Sequence, residues 1–157
     1  MAIRNIVEKG DPVLNKVCRP VTAFNERLWE LLDDMHETLH NADGAGLAAP
    51  QVGILRRIAL VMLDDGSYLE IINPEIISRE GTQSGTEGCL SVPDVFGIVE
   101  RPMNVTVKAQ DRYGKEFTVD AEGFTARAFC HEIDHLHGHL FTEIVKKYVD
   151  INNTDEE

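Results

Sequence analysis

The sequence predicts an α+β fold: mostly antiparallel β-sheets packed around a central C-terminal helix that carries an HExxH motif, with another helix near the N-terminus. Three observations predict it. Apolar residues recur at helical spacing within Thr22–Gly44, the middle of the chain reads as short strands, and helical spacing returns after Gly123.

The opening segment is loop-like, punctuated by Gly10, Pro12 and Pro20. "TAFNERLWELLDDMHETLHNADG" then sets Leu28, Leu31, Leu32, Met35 and Leu39 on one face of a helix about four turns long. Thr22 or Asn25 can cap its start, and Asn41–Gly44 stops it. "RRIALVMLD" reads as a buried strand, and "YLEIINPEIISRE" as two short strands broken at Asn73-Pro74. "NVTVKAQDRYGKEFTVDAEG" alternates around Tyr113-Gly114, a hairpin signal. In "FTARAFCHEIDHLHGHLF" the residues Phe124, Ala128, His131 and His135 follow i, i+4, i+7, i+11 and share one helix face. Gly138 can end that helix. The expected organisation is one domain over residues 1–150 and a polar, acidic, frayed tail over 151–157.

At 157 residues the chain suits one domain with a proper core. Its formal net charge of −12 repels phosphate backbones, and the basic pairs Arg56-Arg57 and Lys146-Lys147 stand isolated, so direct nucleic-acid binding is not expected. No apolar run approaches the roughly 20 residues of a membrane span. The N-terminal stretch lacks the apolar run of a signal peptide, so a cytoplasmic location is expected. Cys18, Cys89 and Cys130 are odd in number and lack CxxC spacing. That is no disulfide framework, so a cysteine with a chemical role is a ligand or a nucleophile.

His131-Glu132-Ile133-Asp134-His135 is HExxH. One helical turn separates the two histidines, so both imidazoles can reach one divalent ion. Glu132 sits beside that ion without binding it, placed to take a proton from the attacking water and later pass it to a leaving group. A catalytic site of this kind needs a third protein ligand and an open position. The pattern HExxHxxGxxH fails, because Gly138 is present but the last position is Phe141. A later glutamate is no better: Glu143 is too close, and Glu156 and Glu157 lie in the tail. The third ligand is therefore expected upstream, where "GTEGCLSVP" holds Cys89 among glycines that permit close backbone approach. Taken alone, a free cysteine such as Cys89 is more often a buried small hydrophobe than a ligand. Cys130 adjoins His131 but points about 100° around the helix, toward the core. A third stretch, "GAGLAAPQ" (Gly44–Gln51), reads in isolation as an ordinary helix-to-strand turn, but it combines small residues with an amide donor and can line a cleft.

Together, "GAGLAAPQ", "EGCLS" and "HEIDH", in this order, resemble the peptide deformylase family, whose signatures are GxGLAAxQ, EGCxS and HExxH. All three stand without a substitution, and "GDPVLNKVCRPV" and "VERP" extend the resemblance over essentially the whole chain. The resemblance implies a metal-dependent hydrolase that removes the N-formyl group from the formyl-methionine of nascent polypeptides and releases formate. It implies Cys89, His131 and His135 as metal ligands and Glu132 as general acid/base. Gln51 and the backbone N–H of Leu90 would stabilise the oxyanion. Gly44, Ala45 and Gly46 would pair with the substrate main chain as an added strand. Phe124 and Ala128, beside His131, would line the methionine pocket. The family's usual ion is Fe(II), and Zn(II), Ni(II) or Co(II) also suit a soft S/N/N donor set.

Departures within the family pattern are local. Phe96 stands near the place where some members carry a substrate-contacting arginine. Arg101 matches a different, structural arginine and is expected to pair with Glu87. Some members dock on the ribosome through a basic C-terminal extension, whereas this chain ends "KKYVDINNTDEE", so that mode is not supported. A monomer is expected. His36, His40, His137 and His139 match no ligand position and read as surface or cap residues. A peptidase cutting internal bonds lacks its third ligand here, and a non-catalytic metal binder would not be expected to keep both Glu132 and Gln51.

Overall fold

Two helices and eight strands make up the regular structure of the computed structural model, apart from three short 3-10 turns; it describes residues 2–150. The expected tail, 151–157, lies outside the described residues. Helix α1 runs Glu26–Ala42. Of the two cap candidates the structure uses Asn25, whose side chain accepts from the Leu28 N–H at 3.3 Å. Asp43 ends the helix in the left-handed region at φ 55°. Its apolar stripe, Leu28, Leu31, Leu32, Met35 and Leu39, is buried against Leu47, Ile58, Leu60 and Ile72.

The strands are β1 (Gly46–Ala48), β2 (Ile58–Met62), β3 (Tyr68–Glu80), β4 (Gln83–Cys89), β5 (Val92–Arg101), β6 (Asn104–Gln110), β7 (Glu116–Glu122) and β8 (Lys147–Val149). All named pairings are antiparallel: one sheet has the order β1-β2-β3-β6-β7 and the other β4-β5-β8. The β6–β7 hairpin turns where the sequence indicates. Asn73-Pro74 does not break β3 in two. Asn73 instead takes the left-handed region (φ 52°), the register slips between Ile72 and Glu75, and the strand bends through. The Asn73 side chain accepts from the Val21 N–H at 2.8 Å and donates to Val21 O at 2.9 Å and Gln110 Oε1 at 2.7 Å. The bend is therefore also where the N-terminal segment is fastened.

Helix α2 spans Gly123–Leu136 and carries the HExxH residues. Phe129, Ile133 and Leu136 on α2 bury against Ala59, Val61, Val105 and Val107 of the five-stranded sheet. Gly138 follows the helix at φ 85°, and a Cβ there would stand 2.9 Å from the Asn15 carbonyl carbon, so glycine admits the N-terminal segment. That segment is a lace rather than a free loop. Val7 N–H donates to Gln51 O (2.8 Å), Lys9 N–H to Ser91 O (2.7 Å) and Cys18 N–H to Leu136 O (3.0 Å). One strip of backbone, extended apart from the 3-10 turn Pro12–Asn15, thus bonds to the stretches around Gln51, Cys89 and the end of α2.

Candidate active site

β4 delivers Cys89, α2 delivers His131, Glu132 and His135, and the 3-10 turn Ala49–Val52 after β1 delivers Gln51. One ligand atom each from Cys89, His131 and His135 lie within 4.8 Å of one another. Cys89 Sγ is 3.4 Å from His135 Nε2. His131 Nδ1 is engaged by Glu87 Oε1 at 2.9 Å, which leaves Nε2 as the nitrogen directed toward Cys89. A thiolate with two imidazoles is a soft donor set that fits a divalent transition ion.

The electrostatics of the two rings differ. Burial holds His135 well below the usual histidine range, and its Nδ1 is buried without a hydrogen-bond partner. Burial acts in the same direction on His131, yet Glu132, Cys89 and Glu87 hold that ring well above the range. Burial lifts the Glu132 carboxyl to about 7. Its Oε1 has no partner, and its Oε2 faces Gly46, where a Cβ would come within 2.5 Å. Only glycine at residue 46 lets the carboxylate lie against β1.

Gln51 is buried with both ends of its amide engaged. Oε1 accepts from the Ala48 N–H at 2.9 Å, and Nε2 points to Ser91 Oγ at 3.1 Å and Cys89 Sγ at 3.6 Å. The carbonyl end is thus anchored on its own turn and the donor end faces the sulfur. Gln51, Cys89, Leu90, His131 and Glu132 line one cleft of about 370 Å³. Gly44, Ala45 and Gly46 form one wall. Ala128 lies inside, and Phe124, 60 % exposed, stands at the rim. His135 is not on the cleft wall; it lies behind, 1 % exposed.

Residues 3–150 match the family model of the polypeptide deformylases. The chain belongs to the polypeptide deformylase family. It is 52 % identical over 149 residues to the peptide deformylase of Caldicellulosiruptor bescii, covering 95 % of this chain and 89 % of that one. It is 49 % identical over 156 residues to peptide deformylase 1 of Bacillus cereus, covering 99 % of this chain and all (100 %) of the relative. The crystal structure of the peptide deformylase from Thermotoga maritima superposes with a TM-score of 0.89 at 41 % identity, over 92 % of this chain and 98 % of that one.

Glu87 anchors this site, and the sequence reading gave it only one partner. Arg101 grips it as expected, Nε on Oε2 at 2.8 Å and Nη2 on Oε1 at 2.9 Å. Arg127 adds a bond to Oε2 at 2.7 Å, and His131 completes the set. Burial opposes the charge on Glu87 but is outweighed by Arg101 and His131, which hold its carboxyl down at about 2. Arg127 is the functional neighbour that sequence reasoning missed. The available signal was its place one helical turn before His131. Cys130 behaves as read: it is buried in the core, and burial pushes its thiol up to about 11. His36 is not a lone surface ring, because it pairs with Glu70 at 2.7 Å.

Proposed function

We propose that this chain hydrolyses the N-formyl group of formyl-methionine at the N-terminus of nascent polypeptides, releasing formate and a free α-amino group. Membership of the deformylase family supports the reaction. The observation that carries the mechanism is the convergence of Cys89, His131 and His135 beside a buried Glu132 with an unpartnered oxygen. Cys89 Sγ and one nitrogen from each histidine would hold a divalent ion, Fe(II) in the native protein, with Zn(II), Ni(II) or Co(II) compatible with the same donors. When bound, such an ion supplies Lewis-acid polarisation of the formyl carbonyl and acidifies water.

Glu132 takes a proton from the attacking water and returns it to the amide nitrogen as the C–N bond breaks. Burial suits it to this exchange, since a carboxyl lifted toward neutrality can both accept and donate. Gln51 Nε2, held by the bond from Ala48 to its other end, and the Leu90 N–H are the donors for the oxyanion that develops on the formyl oxygen. The substrate main chain adds a strand beside Gly44–Gly46, which binds backbone without reading sequence. The methionine side chain enters between Ala128 and Phe124 beside His131. The formal net charge of −12 disfavours direct contact with ribosomal RNA.

Formate release from formyl-Met-Ala by anaerobically purified protein tests the reading. Turnover is expected with the wild type. Glu132→Ala should keep its metal and lose about 10²-fold or more in rate, and Cys89→Ala should lose metal by elemental analysis. Unchanged turnover in Glu132→Ala would sink the mechanism, and full metal content in Cys89→Ala would place the third ligand elsewhere.

A further inference from the structure

We propose that Arg127 is a positioning residue for the metal centre, fixing the relation between the strand that carries Cys89 and the helix that carries the two histidines. The proposal rests on the reading of Cys89, His131 and His135 as ligands. Those ligands come from two bodies with separate apolar support. α2 is seated on the core formed with Ala59, Val61, Val105 and Val107. Cys89 belongs to a different cluster, with Val92, Val99, Leu140 and Phe141. The two bodies meet where the His131 ring lies 6.0 Å from the Phe141 ring, and polar bonds add directional register across that seam.

Glu87 and Arg101 both sit on the β4–β5 hairpin, so their fork moves with Cys89. Arg127 and His131 sit one turn apart on α2 and take the two oxygens of the same carboxylate, at 2.7 and 2.9 Å. With Arg101 on the other side, each Glu87 oxygen has two donors, and the carboxylate cannot turn without breaking bonds. Arg127 Nη1 also donates to Val99 O at 3.0 Å and Gly85 O at 3.4 Å, reaching both strands of the hairpin. Its Nη2 lies 3.4 Å from Gln83 Oε1 and fills the space above Gly85, where a Cβ would meet it at 2.8 Å. A second bridge, Arg101 to Asp134 at 2.6 Å, ends on a carboxylate that is 36 % exposed. The Arg127 side chain is 6 % exposed, so its bonds are the more shielded of the two.

The test uses metal alone, with no substrate. Zn(II) affinity is measured by chelator competition, and the ligand-field bands of the Co(II) form report ligand geometry. Arg127→Met should weaken Zn(II) binding about 10-fold or more and shift the Co(II) bands. Arg127→Lys should recover part of the loss. Gly85→Ala keeps the charge but displaces the guanidinium, and should weaken Zn(II) in the same direction by less. Arg112→Met, which removes a similarly paired arginine elsewhere, should lower Tm and leave Zn(II) affinity unchanged. Folded Arg127→Met with wild-type affinity and bands overturns the proposal, whatever its Tm. Should that variant not fold, wild-type behaviour in both Arg127→Lys and Gly85→Ala overturns it equally. A protein that passes these tests yet releases no formate fails only as a deformylase, so the two readings fail separately.

Discussion

Glu70 on β3 and Glu87 on β4 are each gripped by an arginine fork and a histidine. Arg112 reaches Glu70 with Nε at 3.0 Å and Nη2 at 2.5 Å, and His36 Nε2 pairs with it at 2.7 Å. In both clusters burial opposes the charge and is outweighed by these donors, so each carboxyl is held at about 2. The surroundings differ. The Glu70 cluster opens to solvent through His36 and Asp33, 33 % and 40 % exposed, and ties α1 to β3 and the turn after β6. The Glu87 cluster is shut away, and the histidine it orients has its other nitrogen directed among further donors. An Arg–Glu–His set is thus a fastener at one place and the foundation of a site at another. What decides is the company on the far side of the imidazole.

The largest effect that would sharpen this contrast is Glu87→Gln. It leaves two buried guanidinium groups facing a neutral amide, and should cost about 3–5 kcal/mol in denaturant unfolding. Zn(II) affinity should fall about 10- to 100-fold in chelator competition. A stable, metal-tight Glu87→Gln protein would erase the distinction between the clusters. Next, Glu70→Gln should cost about 1 kcal/mol, because its partners are partly solvated; metal affinity should not move. Acid titration follows. A carboxyl lowered from 4.5 to about 2 contributes stability above pH 4.5 that is lost as pH falls toward 2. The wild type and Glu70→Gln should therefore differ in unfolding free energy at pH 5, and the gap should narrow below pH 4.5 and close near pH 2; a constant gap would mean that Glu70 acts by shape alone. Smallest is salt. At about 1 M the Debye length is roughly 3 Å, so the Tm gap between wild type and Arg112→Met should narrow. The Zn(II) deficit of Arg127→Met should persist at the same salt, since that pair is buried.

The candidate ligand group was legible in two short stretches: HExxH sets two imidazoles one turn apart beside a carboxylate, and the glycine-flanked Cys89, which alone reads as a buried apolar residue, became a ligand candidate only in company with the other motifs. Helix α1, the β6–β7 hairpin and α2 were legible from periodicity, because each packs a regular face on the core, and β2 was legible from its continuous apolar run. The β4–β5 hairpin was not. "QSGTEGC" has almost no apolar face, and its strand form is held by pairing to β5 and by Arg127 over Gly85. β3 was read as two strands because Asn-Pro signals a break, whereas the Val21 backbone and Gln110 supply partners that make a bulge worth keeping.

The sequence by itself determined the candidate donors Cys89, His131 and His135, the Glu132 carboxyl beside them, and the helices and strands with a regular buried face, since these depend on residue type and local spacing. Only the tertiary structure decided that Arg127 and His131 share one carboxylate, that Gln51 presents its amide nitrogen to Cys89, and that residues 7–18 lace the three motifs together. Those facts join residues tens of positions apart in the chain. Long-range bonds of that kind leave no period in the sequence, because buried polar groups take whichever partners the folded cores bring within reach.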